Sequence, residues 1–327
     1  IKKGENHMKK ILVTGGLGQI GTELIMTLRG VYGNENVIAS SIEPDCPDFI
    51  RETGVYESVD VLDAKKLGEV CRKHDINQIV HLAAILSAVG ESKPQLAYDI
   101  NMNGLFNVLE VARETGSGVF TPSSIAAFGP STPKDMTPQD TVQRPTTMYG
   151  VTKVAGELLC DYYHQRYGVD TRGVRFPGLI SYKALPGGGT TDYAVHIYYE
   201  AIKNRKYTSY IAQGTKMDMM YMPDAIKSIL DLMEADPSKL IHRNAFNIAA
   251  MSFAPEDLAA EIMKHIPDFR LDYAVDPVRQ EIADSWPNSL DDSAARAEWG
   301  WKPEYDIAKM TADMLEKLAD KLGKSYK

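Results

Sequence analysis

A tyrosine and a lysine four residues apart, Tyr149 and Lys153 in the stretch YGVTK, are well suited to acid–base chemistry. On a helix, that spacing places both side chains on one face. A phenol alone gives up its proton only near about pH 10, and a neighbouring ammonium group stabilises the phenolate. The pair therefore predicts a general base, although YxxxK also occurs as an ordinary surface pair.

Two serines, Ser123 and Ser124, lie upstream in TPSSIAAFG (121–129), where a predicted strand ends. Ligands of open parallel sheets bind at that carboxyl edge, so either hydroxyl can hydrogen-bond a substrate oxygen. Serine at a strand end is also a common capping residue. The order of a glycine-rich turn, a serine at a later strand end and then YxxxK favours a catalytic site.

The glycine-rich turn is TGGLGQIG (14–21), which follows the first apolar run and opens the first predicted helix. Glycines at this spacing form a tight turn, let the backbone approach a pyrophosphate and pack the helix closely on the strand. The helix N-terminus then attracts the phosphate charge. A packing turn is the alternative, but the strand–turn–helix context favours a dinucleotide. The predicted contacts are Gly15, Gly18, Gln19, Ile20 and Gly21.

The end of the second strand, VIASSIEP, bears on the choice between NAD and NADP. Ser41 stands where an acid usually binds the adenosine ribose, and a serine can still bond a ribose hydroxyl. The nearest basic residue, Arg51, is ten positions on, so nothing close by is suited to a 2′-phosphate and NAD is favoured. Asp60 and Val61, after the third strand, are placed to meet the adenine, although Asp60 fits an ordinary helix cap equally well.

These residues need an α/β framework to bring them together. Short apolar runs alternate with helical patterns through the first half, which predicts a Rossmann-type, doubly wound parallel sheet. Residues 8–175 are expected to form the nucleotide-binding domain, with its sheet completed by parts of 220–250. Residues 176–327 are expected to form mainly a smaller, interleaved substrate lobe. The polar residues 1–7 are interpreted as a leader or an added remnant.

Two elements of this framework matter for the site. The spacing of apolar residues predicts one long helix over 94–112, and residues 171–176 are predicted to form a single strand. A further helix is expected near 224–234, and a terminal one over Ile307–Leu322.

The composition of the chain disfavours several classes of function. The 327 residues are 44% hydrophobic and carry a formal charge of −8, which disfavours nucleic-acid and anionic-membrane partners. No apolar run approaches a membrane span. Only three cysteines occur, and neither CxxC nor HExxH is present, so no metal site is predicted. A reducing compartment follows: the cytoplasm, or the mitochondrial matrix in a eukaryote.

Together, these motifs resemble the extended short-chain dehydrogenase/reductase superfamily, the group that contains UDP-galactose 4-epimerase. HLAA (81–84) is similar to the segment beside the cofactor in that group, and the first asparagine of NMNGLFN (101–107) helps to shape its active site. The resemblance implies bound NAD, Tyr149 as acid/base, Lys153 on the nicotinamide ribose and Ser124, rather than Ser123, on the substrate oxygen. It also assigns further residues to the cofactor site, namely Leu82, Ala83, Ala84, Asn101 and Phe176.

The sequence resembles one branch of this superfamily more closely than the others. PTTMYGVTKVAGELL, VRFPGLIS, PGGGTTDYA, TSYIAQGTKMDMMYMPDA and RQEIADSWP resemble the short-chain type of L-threonine 3-dehydrogenase. That branch oxidises the C3 hydroxyl of L-threonine with NAD to 2-amino-3-ketobutyrate and needs no zinc. Nucleotide-sugar members carry an asparagine where this chain has Gly178, and an acid three residues after a late arginine where Arg279 is followed by QEI.

A small zwitterionic substrate requires paired polar contacts. Ser87 and residues 189–192, which include the TTD stretch, are candidates: Gly189, Thr190, Thr191 and Asp192. The threonine hydroxyls and loop N–H groups are expected on the carboxylate, and Asp192 on the ammonium. The TTD stretch is also a plausible cap for the helix that starts near Tyr193.

The alternatives are a nucleotide-sugar epimerase or dehydratase of the same fold, and a non-catalytic NAD-binding protein. The resemblance further implies a homodimer, formed when the helices at 94–115 and 149–167 pair into a four-helix bundle.

Overall fold

A parallel sheet forms the centre of the protein, which is described by a computed structural model over residues 9–183 and 189–326. The predicted leader, residues 1–7, lies outside the described residues. Numbered in chain order, the strands are β1 (Ile11–Thr14), β2 (Val37–Ser41), β3 (Tyr56–Ser58), β4 (Gln78–His81), β5 (Gly118–Phe120), β6 (Ser123–Ser124), β7 (Thr171–Arg172), β8 (Val174–Phe176), β9 (Gly178–Ile180), β10 (Lys206–Ser209), β11 (Met217–Tyr221), β12 (Phe246–Asn247), β13 (Met251–Phe253) and β14 (Arg270–Tyr273).

The helices surround this sheet and build the second lobe. They are α1 (Gln19–Tyr32), α2 (Asp48–Arg51), α3 (Ala64–Lys73), α4 (Ser87–Ser92), α5 (Pro94–Tyr98), α6 (Gly104–Thr115), α7 (Met148–Tyr167), α8 (Tyr193–Asn204), α9 (Met222–Glu234), α10 (Pro255–Met263), α11 (Pro277–Ser285), α12 (Ser293–Trp299) and α13 (Ile307–Leu322). Both helices predicted in the second half are confirmed. Among the described residues, no helix is long and apolar enough to cross a membrane.

Six strands pair in parallel in the order β3-β2-β1-β4-β5-β7. Side chains alternate between the two faces of each strand: Ile11 and Val13 pack in one cluster with α1 and α9, and Leu12 packs in the other with α3 and α6. Both faces are therefore buried, which explains the apolar runs. The doubly wound α/β fold predicted from the sequence is confirmed.

The strand order reverses at β1, which lies between β2 and β4. Successive crossovers leave β1 and β4 in opposite directions, and a crevice opens beyond their carboxyl ends. The glycine turn after β1 and the HLAA segment that begins at the end of β4 both lie at this point.

The long helix predicted over 94–112 is confirmed: the chain is helical without a break from Pro94 to Thr115, but it contains a π-helical turn that the apolar spacing did not predict. The segment is divided into α5, a π-helical turn at Asp99–Asn103, and α6. In the π turn, the Asn101 side chain exchanges two hydrogen bonds with the backbone of Ile85, at 2.7 and 3.0 Å. Turns of this kind are frequent at functional sites, and here the turn fixes the chain that follows β4.

The prediction of one strand over 171–176 is wrong, because the chain leaves one neighbouring strand and pairs with others after Gly173. A Cβ at Gly173 would lie 2.2 Å from the carbonyl oxygen of Thr121, so only glycine permits this close crossing. β7 pairs with β5, whereas β8 pairs with β6 and β12. β12 belongs to the segment expected to complete the sheet. The predicted domain boundary at residue 175 falls inside β8, and the division into 8–175 and 176–327 stays a prediction.

The second lobe packs around its own apolar cluster, which includes buried residues of α8, α10 and α13. Its strands form two small groups, β13-β11-β9 and β10-β14. β9 follows β8 after a single residue, Pro177, so the chain passes directly from the sheet edge into this lobe.

Candidate functional site

The turn after β1 forms a cradle of backbone. Gly15 has φ +67°, and a Cβ there would lie 2.5 Å from the Ala83 nitrogen. A Cβ at Gly21 would lie 2.7 Å from the Gly15 oxygen. α1 then begins at Gln19 with no side-chain cap at Gly18, which leaves N–H donors of the first turn for a ligand. The donor set and the absence of side-chain bulk fit a dinucleotide diphosphate.

This cradle forms one end of a cleft of about 1220 Å³, including its open mouth. The opposite end is formed by the second lobe. Most of the site residues predicted from the sequence line it together: Gly15, Gly18, Gln19, Ile20, Gly21, Leu82, Ala84, Ser87, Ser123, Ser124, Tyr149, Lys153, Phe176, Gly189, Thr190, Thr191 and Asp192.

Five predicted cofactor residues lie outside that lining: Ser41, Asp60, Val61, Ala83 and Asn101. Asp60 accepts a hydrogen bond from the Leu62 nitrogen, and α3 is capped by Asp63 instead. Val61 is buried, and its carbonyl accepts a hydrogen bond from Asn107.

Ala83 and Asn101 line a smaller polar cavity behind Lys153. His81 also lines this cavity, where burial lowers its pKa to about 3, so the ring is neutral. Its Nδ1 lies 2.8 Å from the Thr14 hydroxyl oxygen.

Tyr149 and Lys153 lie on the first turns of α7, which is capped by the Thr147 side chain. The Lys153 ammonium nitrogen is 5.3 Å from the centroid of the Tyr149 ring and donates a 2.7 Å hydrogen bond to the Pro122 carbonyl. The lysine therefore lies beside the phenol and is tied to the strand end that carries the two serines.

The two serine hydroxyls have different surroundings. Ser123 is buried and donates a short hydrogen bond to a carboxylate oxygen of Glu157. Ser124 Oγ accepts a hydrogen bond from the Ala126 nitrogen at 3.2 Å, which leaves its own proton available to a ligand in the cleft. This arrangement favours Ser124 as the serine that contacts a substrate oxygen.

The stretch Thr190–Asp192 forms a 3₁₀ turn that leads into α8. Asp192 Oδ2 accepts a 2.6 Å hydrogen bond from the Gly189 nitrogen and so caps this 3₁₀ turn, whereas α8 itself has no side-chain cap. All four residues from Gly189 to Asp192 also line the cleft, so capping and ligand contact are compatible here. The start of the PGGGTTDYA stretch, residues 186–188, lies outside the described residues.

Sequence reasoning missed Trp286 and did not foresee what Gly178 does. Trp286 follows α11, is almost fully buried and lines the cleft with Thr191. A Cβ at Gly178 would lie 2.7 Å from Thr191 Cγ2 and 2.4 Å from Met219 Sδ, so glycine is required where Thr191 approaches the backbone. The SWP stretch carries no local signal that it meets residues about a hundred positions earlier.

No group of three or more metal-ligating side chains occurs among residues 9–183 and 189–326. The three cysteines are free and buried. Burial raises the pKa of the Cys71 thiol to about 12, so this sulfur is a core residue and not a nucleophile.

A nucleotide cradle at the switch point of a parallel sheet, facing a Ser–Tyr–Lys group, defines a class of proteins. The sequence model of the NAD dependent epimerase/dehydratase family matches residues 11–249, and the chain belongs to this family. NAD is therefore its cofactor. A relative from Staphylococcus saprophyticus, described as an uncharacterized epimerase/dehydratase, is 57% identical over 96% of this chain and 98% of that protein.

Solved structures define the similarity more narrowly. L-threonine dehydrogenase from Clostridium difficile is 66% identical, with a TM-score of 0.95 over 97% of this chain and 99% of that one. The holo form of a GalE-like L-threonine dehydrogenase from Cupriavidus necator is 50% identical, with a TM-score of 0.92 over 94% and 99%. UDP-glucose 4-epimerase from Thermotoga maritima, at 19% identity and a TM-score of 0.80, shares the fold.

Proposed function

We propose that this protein is an NAD-dependent oxidoreductase that converts L-threonine to 2-amino-3-ketobutyrate by oxidising the C3 hydroxyl. One observation carries the proposal. Ser124, Tyr149 and Lys153 line the same cleft as the nucleotide turn, and Thr191 and Trp286 line its other end. The similarity to solved L-threonine dehydrogenases of 42–66% identity supports the same substrate.

Three side chains divide the chemistry. NAD, when bound, accepts the C3 hydrogen together with its electron pair. Tyr149 takes the hydroxyl proton as the general base, and the ammonium of Lys153 lies beside its ring. Ser124 donates a hydrogen bond to the same substrate oxygen, and this bond orients the alcohol toward the base.

The second-lobe end of the cleft supplies the contacts for a zwitterion. The hydroxyls of Thr190 and Thr191, with backbone N–H groups at the turn before α8, are suited to the carboxylate, because a helix N-terminus attracts negative charge. Asp192 and Ser87 are the groups proposed for the ammonium. The indole of Trp286 offers an apolar wall for the threonine methyl group.

The nucleotide-sugar alternative fits this end of the cleft less well. Where nucleotide-sugar members carry asparagine, Gly178 has no room even for a Cβ, because Thr191 and Met219 occupy the space. Arg279 does not reach toward a phosphate, since its guanidinium stacks on the Tyr210 ring at 4.2 Å. A small amino acid is therefore the better match.

The preference for NAD over NADP rests on Arg51 and Ser41. Arg51 is bonded to Asp45 and Asp48, each at 2.7 Å, and to the Cys46 carbonyl. The Arg51 guanidinium is thus bonded within its own segment and is not directed at a 2′-phosphate. Ser41 at the end of β2 offers a hydroxyl that can bond a ribose, and it carries no positive charge for a phosphate.

A homodimer is part of the proposal. Exposed apolar side chains cluster on α6 and α7, where Phe106 is 47%, Leu158 62% and Tyr162 52% exposed. Phe106 and Tyr162 both pack edge-on against the buried ring of Tyr163, so the exposed rings of the two helices lie near each other. Such a face marks an interaction surface, and pairing with its copy would produce a four-helix bundle.

The three free, buried cysteines agree with a reducing compartment, and we place the protein in the cytoplasm.

The test follows NADH absorbance with purified protein and NAD. We expect NADH from L-threonine, far less from L-serine, D-threonine and L-allo-threonine, and none from UDP-glucose. Epimerisation of UDP-glucose without net NADH would support the nucleotide-sugar alternative. Absence of turnover with every compound, while NADH still binds, would support a non-catalytic NAD-binding protein.

A further inference from the structure

Glu157 lies one helical turn beyond Lys153 on α7, so Tyr149, Lys153 and Glu157 follow one another at intervals of four residues. That spacing puts all three on the same face of the helix. The Glu157 side chain is only 6% exposed, and it is the one member of this row without a part in the chemistry above.

The Glu157 carboxylate is fixed by four donors. The Arg175 guanidinium makes a two-point contact, with Nε to Oε1 at 3.0 Å and Nη2 to Oε2 at 2.8 Å. Gln143 donates to Oε2 at 2.8 Å, and Ser123 donates to Oε1. Charge-assisted, two-point bonds of this kind hold a carboxylate in one orientation.

Arg175 is itself immobilised. Its Nη1 donates to the Gln139 carbonyl at 2.8 Å and to Asn247 Oδ1 at 3.0 Å, and its guanidinium lies over the Phe128 ring. The Glu157–Arg175 pair therefore joins α7 to β8, β12 and the chain before α7 as one rigid unit.

Two successive residues of the catalytic strand end are bonded to α7. Lys153 holds the Pro122 carbonyl, and Glu157 holds the Ser123 hydroxyl. Ser124 is the next residue and faces the cleft with Tyr149. The distance between the serine hydroxyl and the phenol is thus set by side chains of the helix that carries the phenol.

We infer that Glu157 is a positioning residue, which acts through Ser123 to hold Ser124 at the correct distance from Tyr149. The inference rests on the proposed function, because it assigns Ser124 and Tyr149 to the same substrate oxygen. A small displacement of one of these groups lowers the rate strongly without weakening the binding of either ligand.

A purely structural role for Glu157 makes a different prediction. A buried ion pair that serves only the fold would lower the unfolding temperature when broken, because one charge is left unpaired. It would leave kcat of the folded fraction unchanged. The hydroxyl of Ser123 would then be dispensable, since the ion pair with Arg175 survives its removal.

The experiment is a double-mutant cycle with Ser123→Ala, Glu157→Gln and the combination. Ser123→Ala removes the link and keeps the buried ion pair, so it remains informative even if Glu157→Gln folds poorly. The control is Glu261→Gln, a buried glutamate of α10 bonded to Lys264, the residue that follows this helix. Each protein is measured for kcat and KM with L-threonine, for NADH affinity by fluorescence titration, and for unfolding temperature.

We expect Ser123→Ala to lower kcat at least tenfold, with KM and NADH affinity within twofold and an unchanged unfolding temperature. The combined variant should lose less than the product of the two single effects, because both act on one link. If kcat of Ser123→Ala is within twofold of the wild type, or if the effects of the two single substitutions multiply in the combined variant, this inference is overturned and the proposed function stands. A wild type that makes no NADH from L-threonine would overturn the proposed function and this inference together.

Discussion

At the scale of single residues, Gly178 limits the space at the second-lobe end of the cleft. The close approach of Thr191 Cγ2 to this backbone position brings the 3₁₀ turn against β9 and shortens the substrate end of the cleft. A side chain at residue 178 and the present position of Thr191 are mutually exclusive. On the proposed function, we expect this glycine to influence substrate recognition, although it has no side chain to bind with.

Gly178→Ala tests this directly. A methyl group at that position must displace Thr191 or Met219, so we expect KM for L-threonine to rise at least tenfold. NADH affinity, measured by fluorescence titration, should stay within about twofold. The matched control is Gly30→Ala in α1, where an added Cβ meets nothing within 4 Å. Unchanged KM in Gly178→Ala would remove Thr191 from the substrate site.

Residues with a local signature were predictable, and residues defined by distant packing were not. The glycine turn and YxxxK can be identified in the sequence because their chemistry depends on the spacing of a few neighbouring residues. At the level of the sequence, resemblance alone favours Ser124 over Ser123, and the hydrogen bond that occupies Ser123 is donated to Glu157, which lies more than thirty positions away. Trp286 needed the contact between α11 and the turn at Thr190–Asp192, and no spacing in the sequence encodes it.

At the scale of elements, the alternation of apolar runs and amphipathic helices predicted the sheet, because strands buried on both faces must be apolar. Two irregularities inside these elements were not predicted, the π turn within the long helix and the break at Gly173. In the π turn Asn101 bonds the backbone of Ile85, and at Gly173 the chain passes closely against Thr121. Neither contact leaves a mark on the spacing of apolar residues.

One strand carries a prediction about pH. Asp218 of β11 is buried and accepts a 2.9 Å hydrogen bond from the Leu290 nitrogen, four residues after Trp286. Burial raises the pKa of this carboxyl to about 8, whereas an unfolded aspartate titrates near about 4. Between these values the folded state keeps a proton that the unfolded state has lost, so stability falls as pH rises from about 4 to about 8.

Asp218→Asn removes this titration. We expect the unfolding temperature of the wild type to fall by several degrees more than that of Asp218→Asn between about pH 5 and about pH 8.5. Circular dichroism melts at both pH values provide the measurement. Asp320→Asn, at an exposed position of α13, should follow the wild type. Equal falls in the wild type and Asp218→Asn would show that the carboxyl at 218 does not control this pH dependence.

At the scale of the whole molecule, the exposed face of α6 and α7 predicts assembly. Leu158→Glu combined with Tyr162→Glu places charge at its centre, so we expect the wild type to have twice the mass of one chain by light scattering and the variant to have the mass of one. Val278→Glu, which changes an exposed apolar residue on α11, should remain dimeric. One similar structure, at 47% identity, is described as a monomeric L-threonine 3-dehydrogenase, and a wild-type monomer would contradict the prediction.

The central claim is that the hydrogen on C3 of L-threonine leaves with its electron pair to NAD while Tyr149 takes the hydroxyl proton. L-threonine deuterated at C3 tests it most directly, with the reduced cofactor analysed by mass spectrometry. We expect one deuterium in every NADH formed, in step with the appearance of the aminoketone. Unlabelled NADH, or no NADH at all from a protein that binds the cofactor, would contradict it.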